Sequence, residues 1–384
     1  MSDPGRDTPP PLPLAGLRVI DCSTVVAGPG CARHLGDFGA DVIKVERPGS
    51  GDGARSLGWP AEEGGDSVWW KILSRNKRCI SLDLANPEGR DALLGLCENA
   101  HVLVENLRAG SMEKLGLGPE ALWARNPRLV VTRISGFGLD GPYARRPGFA
   151  TLAEAMSGFA AGNGEPDGPP LPPPIALADE VTGLIAAFAT MVALWSGVGQ
   201  VVDANLLESM LQVMGPLPSM AAMFGYDQPR LGSGLPYTVP RGTFRAGDGR
   251  WVAFSTSAEP VAARLMALIG LGEDPRFATA AGRIAHRDVV EAALGEWVAA
   301  RTAAEVLELC ERADVAAAPV LAMTELVADP HVVGRGSMVE VDGITMPGPA
   351  ARLSATPGRV RWAGPSRPDQ DQPGNAPPLW DDLS

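Results

Sequence analysis

The chain has 384 residues, 45% of them hydrophobic and 20% charged, and this balance predicts a soluble globular protein with room for two domains. Lys and Arg total 33 against 45 Asp and Glu, so the net charge of −12 argues against a nucleic-acid-binding protein. Five scattered cysteines without a C-x-x-C pair indicate a reduced, cytoplasmic protein. Four histidines without metal-ligand spacing predict no metal site.

The first 140 residues alternate predicted strands and helices, which is the pattern of an open α/β sheet with parallel strands. The five predicted strands lie within residues 17–23, 41–49, 74–84, 101–107 and 128–137. A helix is predicted to begin after Asn86, because Asn is a preferred N-cap and Pro87 suits the first helical position. The first turn, TVVAGPG, lacks the G-x-G-x-x-G pattern, so a dinucleotide dehydrogenase has little support.

The stretch 166–205 joins a Pro-rich segment to an acidic pair, Asp179-Glu180, and then to a long uncharged run. Apolar residues at helical spacing predict a helix buried on nearly all sides. Asp179 is expected at the N-cap, where free N–H groups and the helix dipole keep its carboxylate ionised. Position alone leaves two interpretations open, a helix cap or a nucleophilic carboxylate at the mouth of a buried helix.

The same uncharged run, 181–202, is interpreted as a core helix and a turn rather than a membrane span, and no secretory signal is expected at the N-terminus. After Phe224 the composition changes and predicts a second, smaller α+β unit. A Pro/Gly-rich loop, residues 225–242, is interpreted as a hinge, and a β-hairpin is predicted across Gly247-Asp248-Gly249. Residues 258–314 are predicted to be mostly amphipathic helix.

Basic residues cluster at the predicted ends of the early strands. They are Lys44, Arg47, Arg75, Lys77, Arg78, Arg108 and Lys114. Ligands of open α/β sheets bind beyond the carboxyl ends of the strands, and cations there suit a polyphosphate. Ordinary solvated side chains are the alternative, and charge alone does not decide between the two. No Ser-His-Asp arrangement, G-x-S-x-G turn or Walker A pattern is present.

A series of motifs in colinear order resembles the family III CoA-transferases, which include formyl-CoA transferase, carnitine CoA-transferases and α-methylacyl-CoA racemase. The motifs, spread over roughly residues 14–340, include LRVIDCSTVVAGPGCARHLGDFGADVIKVERPG, NKRCISLDL, VENLRAGSMEKLGLG, ISGFGLDGPYARRPGF, ADEVTGLIAA and GQVVDANLLESM. The resemblance implies a Rossmann-like α/β large domain, a smaller α+β domain and an interlocked homodimer. The implied ranges are a lead-in at 1–13, a large domain at 14–224, a small domain with linkers at 225–330, and a return segment with the tail at 331–384.

The resemblance also implies the site residues. Asp179 matches the family's catalytic Asp. The positions implied to contact coenzyme A are Val25, Val26, Ala27, Arg47, Leu73, Asn76, Lys77, Asn106 and Lys114. Gly232 and Gly234 lie in the loop implied to cover the substrate, where backbone N–H groups are candidate oxyanion donors.

The expected activity is transfer of CoA from an acyl-CoA thioester to a free carboxylic acid through an aspartyl intermediate, without a metal, a nucleic acid or a membrane partner. An acyl-CoA racemase is the alternative within the enzymes. Racemase members carry a His-Asp pair where this chain has Phe149-Ala150, and neither of these residues can take an α-proton. A CoA-binding protein without turnover is the alternative outside the enzymes. The donor and acceptor acids stay open.

Overall fold

The computed structural model describes residues 11–367 and residue 380. Most of the predicted lead-in and of the C-terminal tail therefore lies outside the described residues. The strands are β1 (Arg18–Asp21), β2 (Asp41–Glu46), β3 (Lys77–Ser81), β4 (Val102–Glu105), β5 (Val130–Ser135), β6 (Val201–Asn205), β7 (Arg241–Arg245), β8 (Trp251–Ser255), β9 (Ala317–Pro319), β10 (Met338–Val341) and β11 (Ile344–Pro347).

The helices in the described residues lie between and beyond these strands, with two short 3-10 helices at Gly53–Ser56 and Pro275–Phe277. They are α1 (Ala27–Asp37), α2 (Val68–Leu73), α3 (Pro87–Asn99), α4 (Ser111–Lys114), α5 (Pro119–Arg125), α6 (Ala150–Met156), α7 (Phe159–Gly162), α8 (Leu177–Ser196), α9 (Leu206–Val213), α10 (Leu217–Phe224), α11 (Glu259–Leu268), α12 (Ala280–Ala285), α13 (Arg287–Ala299), α14 (Ala303–Arg312), α15 (Met323–Leu326) and α16 (Pro330–Gly334).

The chain divides into two compact units. The first comprises Met1–Ser157, Pro173–Gly215 and Pro330–Ser384, and the second comprises Gly158–Pro172 and Pro216–Asp329. Each unit has a hydrophobic core of its own. The domain bounds expected from the sequence stay a prediction.

The first unit contains a six-stranded parallel sheet in the order β3-β2-β1-β4-β5-β6. This confirms the predicted α/β class. The strand order is that of the doubly wound sheet: β2 and β3 lie on one side of β1, and β4, β5 and β6 follow on its other side, so the order of the strands reverses between β1 and β4. Val19, Ile20, Val42, Ile43 and Val104 in the three central strands are all buried. Strands covered on both faces read as continuous apolar runs, which is why they could be predicted from the sequence.

Two local predictions, the cap of α3 and the β-hairpin, are also confirmed by the structure. The Asn86 side chain accepts the Gly89 N–H at 2.8 Å and caps α3, with Pro87 at the first helical position. In the second unit, β7 and β8 pair antiparallel, with Arg241 opposite Ser255, as the hairpin prediction requires. Strand β9 joins β8 to complete a three-stranded sheet.

Helix α8 corrects one expectation, because only one side of it is buried. Its small residues, including Ala178, Ala186 and Ala193, are buried. Its large apolar residues are exposed and form a stripe, called here the α8 apolar face: Leu184, Phe188, Val192 and Trp195. Phe188 is 72% exposed and Trp195 is 93% exposed. The helical period was predicted correctly, but periodicity does not tell what covers each face.

By length and composition alone, α8 is the one helix among the described residues that could cross a membrane. A core helix of a soluble protein passes the same test. Here the helix packs against α1, α9 and strand β5 in the first unit. The Thr190 hydroxyl, in the middle of α8, lies 2.6 Å from the Thr132 hydroxyl of β5. These contacts favour the predicted core helix.

Candidate active site

Asp179 is the third residue of α8, not its N-cap. The helix begins at Leu177, and Ala176 occupies the N-cap position without a side-chain cap. Within the described residues the Asp179 carboxylate makes no hydrogen bond and no ion pair. The capping interpretation is therefore wrong for this structure, and the side chain is left half-buried without a structural task.

A second carboxylate, that of Glu154, performs the capping instead. Glu154 lies on α6 with only 2% of its surface exposed, and its Oε1 atom accepts the Ala178 N–H at 3.1 Å. An acidic side chain at this end of a helix is stabilised by the free N–H groups and the helix dipole. The sequence analysis missed Glu154, because the contact joins residues 24 positions apart.

Asp179 lies in an unfavourable environment for a negative charge. Burial raises the pKa of Asp179 to about 6, and the neighbouring charges of Glu154 and Glu180 add to the effect. The helix N-terminus was expected to keep this carboxylate ionised. Burial and the neighbouring charges outweigh that effect, so Asp179 takes up a proton at a higher pH than an ordinary Asp. A carboxylate of higher pKa is a more basic and a stronger nucleophile once ionised.

The start of α8 lies directly against the start of α1. A Cβ atom on Gly183 would lie 3.0 Å from the Ala27 carbonyl oxygen and 3.4 Å from the Cys31 nitrogen, so a larger residue here would crowd the two helices. Asp179 is four residues before Gly183, and residues at this spacing share a helix face. The fold thus directs Asp179 toward the side of α8 that meets the first turn of α1.

The loop between β1 and α1 is strained and pinned by a buried network. Val25 has φ 69°, which is costly for a β-branched residue. Asp52 holds it there, because its Oδ1 atom accepts the N–H groups of Val25 at 3.0 Å and Ala54 at 2.8 Å. The ammonium of Lys44 in turn lies 2.8 Å from the other oxygen of Asp52. Strain supported in this way is typical of a functional loop.

The end of that loop is also closely packed. A Cβ atom on Gly28 would lie 2.2 Å from the Cβ of Ser23, so the chain can turn into α1 only with glycine here. Val26 and Ala27 are buried at the start of the helix, whereas Val25 is 40% exposed. Of the three predicted contact residues in this turn, Val25 therefore presents its side chain to solvent, whereas the side chains of Val26 and Ala27 are buried.

Asn106 connects this loop to the end of β4. Its Oδ1 atom accepts the Thr24 N–H at 2.8 Å, and its Nδ2 group donates to the Thr24 carbonyl at 2.7 Å. Strands β1 and β4 flank the point where the order of the sheet reverses. Doubly wound sheets bind their ligands in the crevice at this point. Asn106 and the loop that carries Val25 therefore lie together at the position where a ligand is expected.

Three cations lie free near the same edge of the sheet. Arg47 follows β2, Arg108 follows β4, and Lys114 ends α4. All three are exposed, and none has a side-chain hydrogen bond or an ion pair among the described residues. They fit the expectation of cations available for a polyphosphate.

The other predicted cations require a correction, because they are not available. The Lys77 ammonium is fully buried, and it donates to Asp21 at 2.9 Å and to the Pro29 carbonyl at 2.7 Å. Burial raises the pKa of Asp21, but the ammonium groups of Lys44 and Lys77 outweigh it and hold that pKa below its usual value. Arg75 likewise pairs with a buried carboxylate, at 2.6 Å. Charge in the sequence does not distinguish buried ion pairs from ligand contacts.

Two further predicted contact residues, Leu73 and Asn76, are buried beside the start of β3. The register pairs Lys77, the first residue of β3, with Val42 near the start of β2, so this group precedes its strand rather than following it. The Asn76 amide is fully occupied by Asp37 and by backbone groups of the return segment. These residues therefore do not lie beyond the carboxyl end of a strand, where ligands of open α/β sheets bind.

The loop with Gly232 and Gly234 belongs to the second unit. The Gly232 N–H donates to the Gly164 carbonyl at 3.0 Å, and the Gly234 N–H donates to the Leu231 carbonyl at 2.8 Å. Both groups are thus already bonded within this unit, which contradicts the expectation that they are free oxyanion donors. That they cover the substrate stays a prediction.

Glu180 has a structural partner. Its carboxylate lies 3.3 Å from the Arg33 guanidinium of α1, which ties the first turn of α8 to α1. No group of three or more His, Cys, Asp or Glu side chains that could hold a metal occurs in the described part of the chain.

Comparison with known proteins identifies the class. Residues 14–371 match the profile of CoA-transferase family III. The chain therefore belongs to this family, and it is a CoA-transferase, as the motifs in its sequence implied. The matched range includes Asp179, the Val25–Ala27 turn and the three free cations.

Three relatives are similar over nearly their whole length. The β subunit of succinyl-CoA–L-malate CoA-transferase of Chloroflexus aurantiacus is 40% identical, covering 92% of this chain and 91% of the relative. Succinyl-CoA–D-citramalate CoA-transferase of the same organism is 37% identical, covering 93% and 92%. The crystal structure of a CaiB/BaiF family protein from Brucella suis is 32% identical, with a TM-score of 0.82 and coverage of 93% and 97%.

Proposed function

We propose that this enzyme transfers CoA between dicarboxylic acids, from an acyl-CoA such as succinyl-CoA to an acceptor acid, with Asp179 as the covalent nucleophile. The observation that carries the proposal is the half-buried, unpaired Asp179 carboxylate at the start of α8, next to the capping carboxylate of Glu154. The names of the two Chloroflexus relatives, which specify succinyl, malate and citramalate groups, support the substrate class.

In the proposed reaction, an Asp179 carboxylate oxygen attacks the thioester carbonyl and the C–S bond breaks, which gives a mixed anhydride and CoA thiolate. The thiolate attacks the aspartyl carbonyl, releases the donor acid and forms an aspartyl-CoA thioester. The acceptor carboxylate then attacks this thioester, and a second anhydride and thiolate form. Attack of the thiolate on the acceptor acyl carbon yields the new acyl-CoA and regenerates Asp179. No proton is gained or lost over the cycle.

Each step exchanges one activated carboxyl group for another, so the protein's task is positioning and charge stabilisation. In this proposal coenzyme A lies at the Val25–Ala27 turn, beside Asn106, at the crevice between β1 and β4. Arg47, Arg108 and Lys114 are the groups that would bind its phosphates. Lys77 and Asp21 act beneath the turn as its buried support. Gly232 and Gly234 are not assigned as oxyanion donors, because their N–H groups already donate to backbone carbonyls.

We further propose that the protein is a cytoplasmic homodimer. The α8 apolar face supports this, because a contiguous stripe of exposed large apolar residues marks an interaction surface. A different chain is the alternative occupant, since one relative is named as a β subunit. The racemase alternative has no support at Phe149, which is an exposed apolar residue at the start of α6.

Mass spectrometry of the intact protein tests the proposed chemistry. The enzyme is incubated with succinyl-CoA, and the covalent intermediate is trapped with hydroxylamine as an aspartyl hydroxamate, which peptide mapping assigns to a residue. Modification at Asp179, absent from Asp179→Ala, is the expected result. Loss of C2 chirality from a branched acyl-CoA without any acceptor acid would indicate a racemase instead. CoA binding without an adduct or turnover would indicate a binding protein.

A further inference from the structure

A cavity of about 580 Å³ in the second unit lies against the three-stranded sheet. The register places Arg241 opposite Ser255 and Thr243 opposite Ala253, and all four residues line the cavity. Because side chains alternate across a strand, these four project from the same face of the sheet. Phe254, which lies between two of them on β8, is buried in the hydrophobic core of the unit. The cavity therefore lies on the face of the sheet that turns away from this core.

The Gly232–Ser233 segment forms a wall of this cavity and is fixed to strand β7. The hydroxyl of Ser233 accepts the Thr243 N–H at 2.9 Å, and the carbonyl of Ser233 accepts a hydrogen bond from Nη1 of Arg241 at 2.6 Å. A Cβ atom on Gly242 would lie 2.8 Å from the Ser233 hydroxyl oxygen, so a larger residue there would push the segment off the strand. The chain itself thus holds the wall and the sheet in one arrangement.

Arg241 is the single charged residue among the described residues that line the cavity, and its side chain is half-buried. Its Nη1 group is occupied by the carbonyl of Ser233 and also lies 3.5 Å from the carbonyl of Gly234. Nε and Nη2, which form the other edge of the guanidinium, have no partner in the described part of the chain. A half-buried guanidinium edge without a partner indicates a place for an acceptor from outside the chain.

The Nε–Nη2 edge carries two parallel N–H groups, which match the two oxygens of a carboxylate. Ala253 and Ala318, which pair across β8 and β9, supply a small apolar surface in the same cavity. We propose that this cavity binds a small carboxylate with a short aliphatic chain, whose charged group pairs with Arg241. The site lies within the second unit and goes beyond the proposed function, because it involves neither Asp179 nor the chemistry assigned to that residue.

Binding to the full chain tests the requirement for a carboxylate. Calorimetry measures the affinity for butyrate, butyramide and inorganic phosphate on the wild type and on Arg241→Gln, Arg241→Lys and Arg245→Gln. Butyramide has the shape of butyrate without its charge. Arg245 is an exposed arginine on the same strand that does not line the cavity, so it is the matched control.

Butyrate should bind the wild type and Arg245→Gln alike, and it should bind Arg241→Gln at least about tenfold more weakly, because hydrogen bonds to a charged group are lost. Arg241→Lys should lose affinity as well, since an ammonium cannot make the bidentate contact. Unchanged butyrate binding in Arg241→Gln would overturn the proposal, as would butyramide that binds as tightly as butyrate. Phosphate that binds more tightly than butyrate, and only when Arg241 is present, would overturn the assignment to a carboxylate.

Hydrogen exchange locates the site and separates it from the proposed chemistry. Butyrate should slow exchange in peptides that cover residues 229–245 of the wild type and of Asp179→Ala. If this protection occurs but no Asp179 adduct forms with an acyl-CoA, the carboxylate site stands and the proposed chemistry fails. Protection that disappears in Asp179→Ala would overturn a site independent of that residue. Faster exchange of this segment in Arg241→Lys without butyrate would assign the lost affinity to a distorted loop and overturn the direct contact.

Discussion

The Glu154 carboxylate accepts the Ala178 N–H at 3.1 Å, one residue before the carboxylate of Asp179. Glu154 is almost fully buried. It lies on α6, and the Pro-rich segment lies between α6 and α8. The contact caps the helix and places a negative charge beside the proposed nucleophile. Burial raises the pKa of Asp179, and the negative charge of Glu154 raises it further.

Asp179→Asn should abolish CoA transfer while making the folded protein more stable at neutral pH. The folded protein has a pKa of about 6 for Asp179, above the value of an unfolded chain, so the ionised group destabilises the native state. The penalty is complete above about pH 6, decreases as the pH falls and vanishes below about pH 4. The melting temperature of the variant should therefore exceed that of the wild type at pH 8, and the difference should become small near pH 3.

Two results would contradict this prediction. More than about a tenth of wild-type transfer in Asp179→Ala would exclude the residue as a covalent nucleophile, because removal of a nucleophile costs several orders of magnitude. A lower melting temperature at pH 8 in both variants would mean that the carboxylate stabilises the helix. The capping residue Glu154 gives the comparison, since Glu154→Ala should lower the melting temperature by loss of the cap.

Glu154→Gln should move the pH dependence of transfer without preventing folding. The amide oxygen of Gln can still accept the Ala178 N–H, but the negative charge beside Asp179 is gone. Transfer requires ionised Asp179, so kcat/KM of the wild type should rise with pH through the pKa of that group. Without the charge of Glu154 the pKa of Asp179 falls, and the rise should occur at lower pH.

The measurement is kcat/KM for succinyl-CoA from pH 4.5 to 8 at constant ionic strength. A variant with lower activity but an unchanged pH profile would show that Glu154 acts only as a structural cap. Glu208→Gln provides a control, because Glu208 lies on α9 and is not among the causes of the raised pKa of Asp179.

The sequence predicted the parallel sheet, the α3 cap and the hairpin, because each depends on neighbouring residues. The strands around Ile20 and Ile43 are buried on both faces and are continuous apolar runs. Asn86 acts on a group only three residues away. The resemblance also implied Asp179 and Asn106 as site residues, whereas position alone left both a helix cap and a nucleophile open for Asp179.

What the sequence did not predict depends on contacts between distant segments. Lys77 and Arg47 are both cations next to strands, but Lys77 is buried against Asp21, 56 positions away, whereas Arg47 has no partner among the described residues. Glu154 gave no signal, because its role depends on the return of the chain to Ala178. Composition records the charge of each residue and not whether another segment neutralises it.

Arg47→Ala should weaken acyl-CoA binding, and Lys77→Met should weaken the fold. Removing an exposed, unpaired cation from a phosphate contact costs about 1.5–3 kcal/mol of binding, so the apparent KM for acyl-CoA should rise at least about tenfold at low salt, with an unchanged melting temperature. Removing Lys77 leaves the buried Asp21 with one fewer cation, which should cost about 3–5 kcal/mol of unfolding free energy.

Urea unfolding and steady-state kinetics measure the two effects on the same variants. Arg312→Ala, which removes an exposed cation from α14, should change neither quantity by more than a small amount. A large increase in KM for Lys77→Met with full stability would restore Lys77 as a direct phosphate contact. An unchanged KM for Arg47→Ala would remove Arg47 from the site.

Phe188→Asp should disrupt the proposed homodimer. Phe188 is 72% exposed in the centre of the α8 apolar face, with Leu184 and Val192 one turn to either side. A second copy that covers this stripe would bury large apolar side chains, each stabilising the assembly by about 1.5–3 kcal/mol. A carboxylate at the centre would lose this contribution and would itself require desolvation. Light scattering at micromolar concentration should therefore give twice the chain mass for the wild type and a lower mass for Phe188→Asp. Phe188→Leu keeps the face apolar and should stay dimeric, whereas a wild-type protein with the mass of one chain would contradict the assembly.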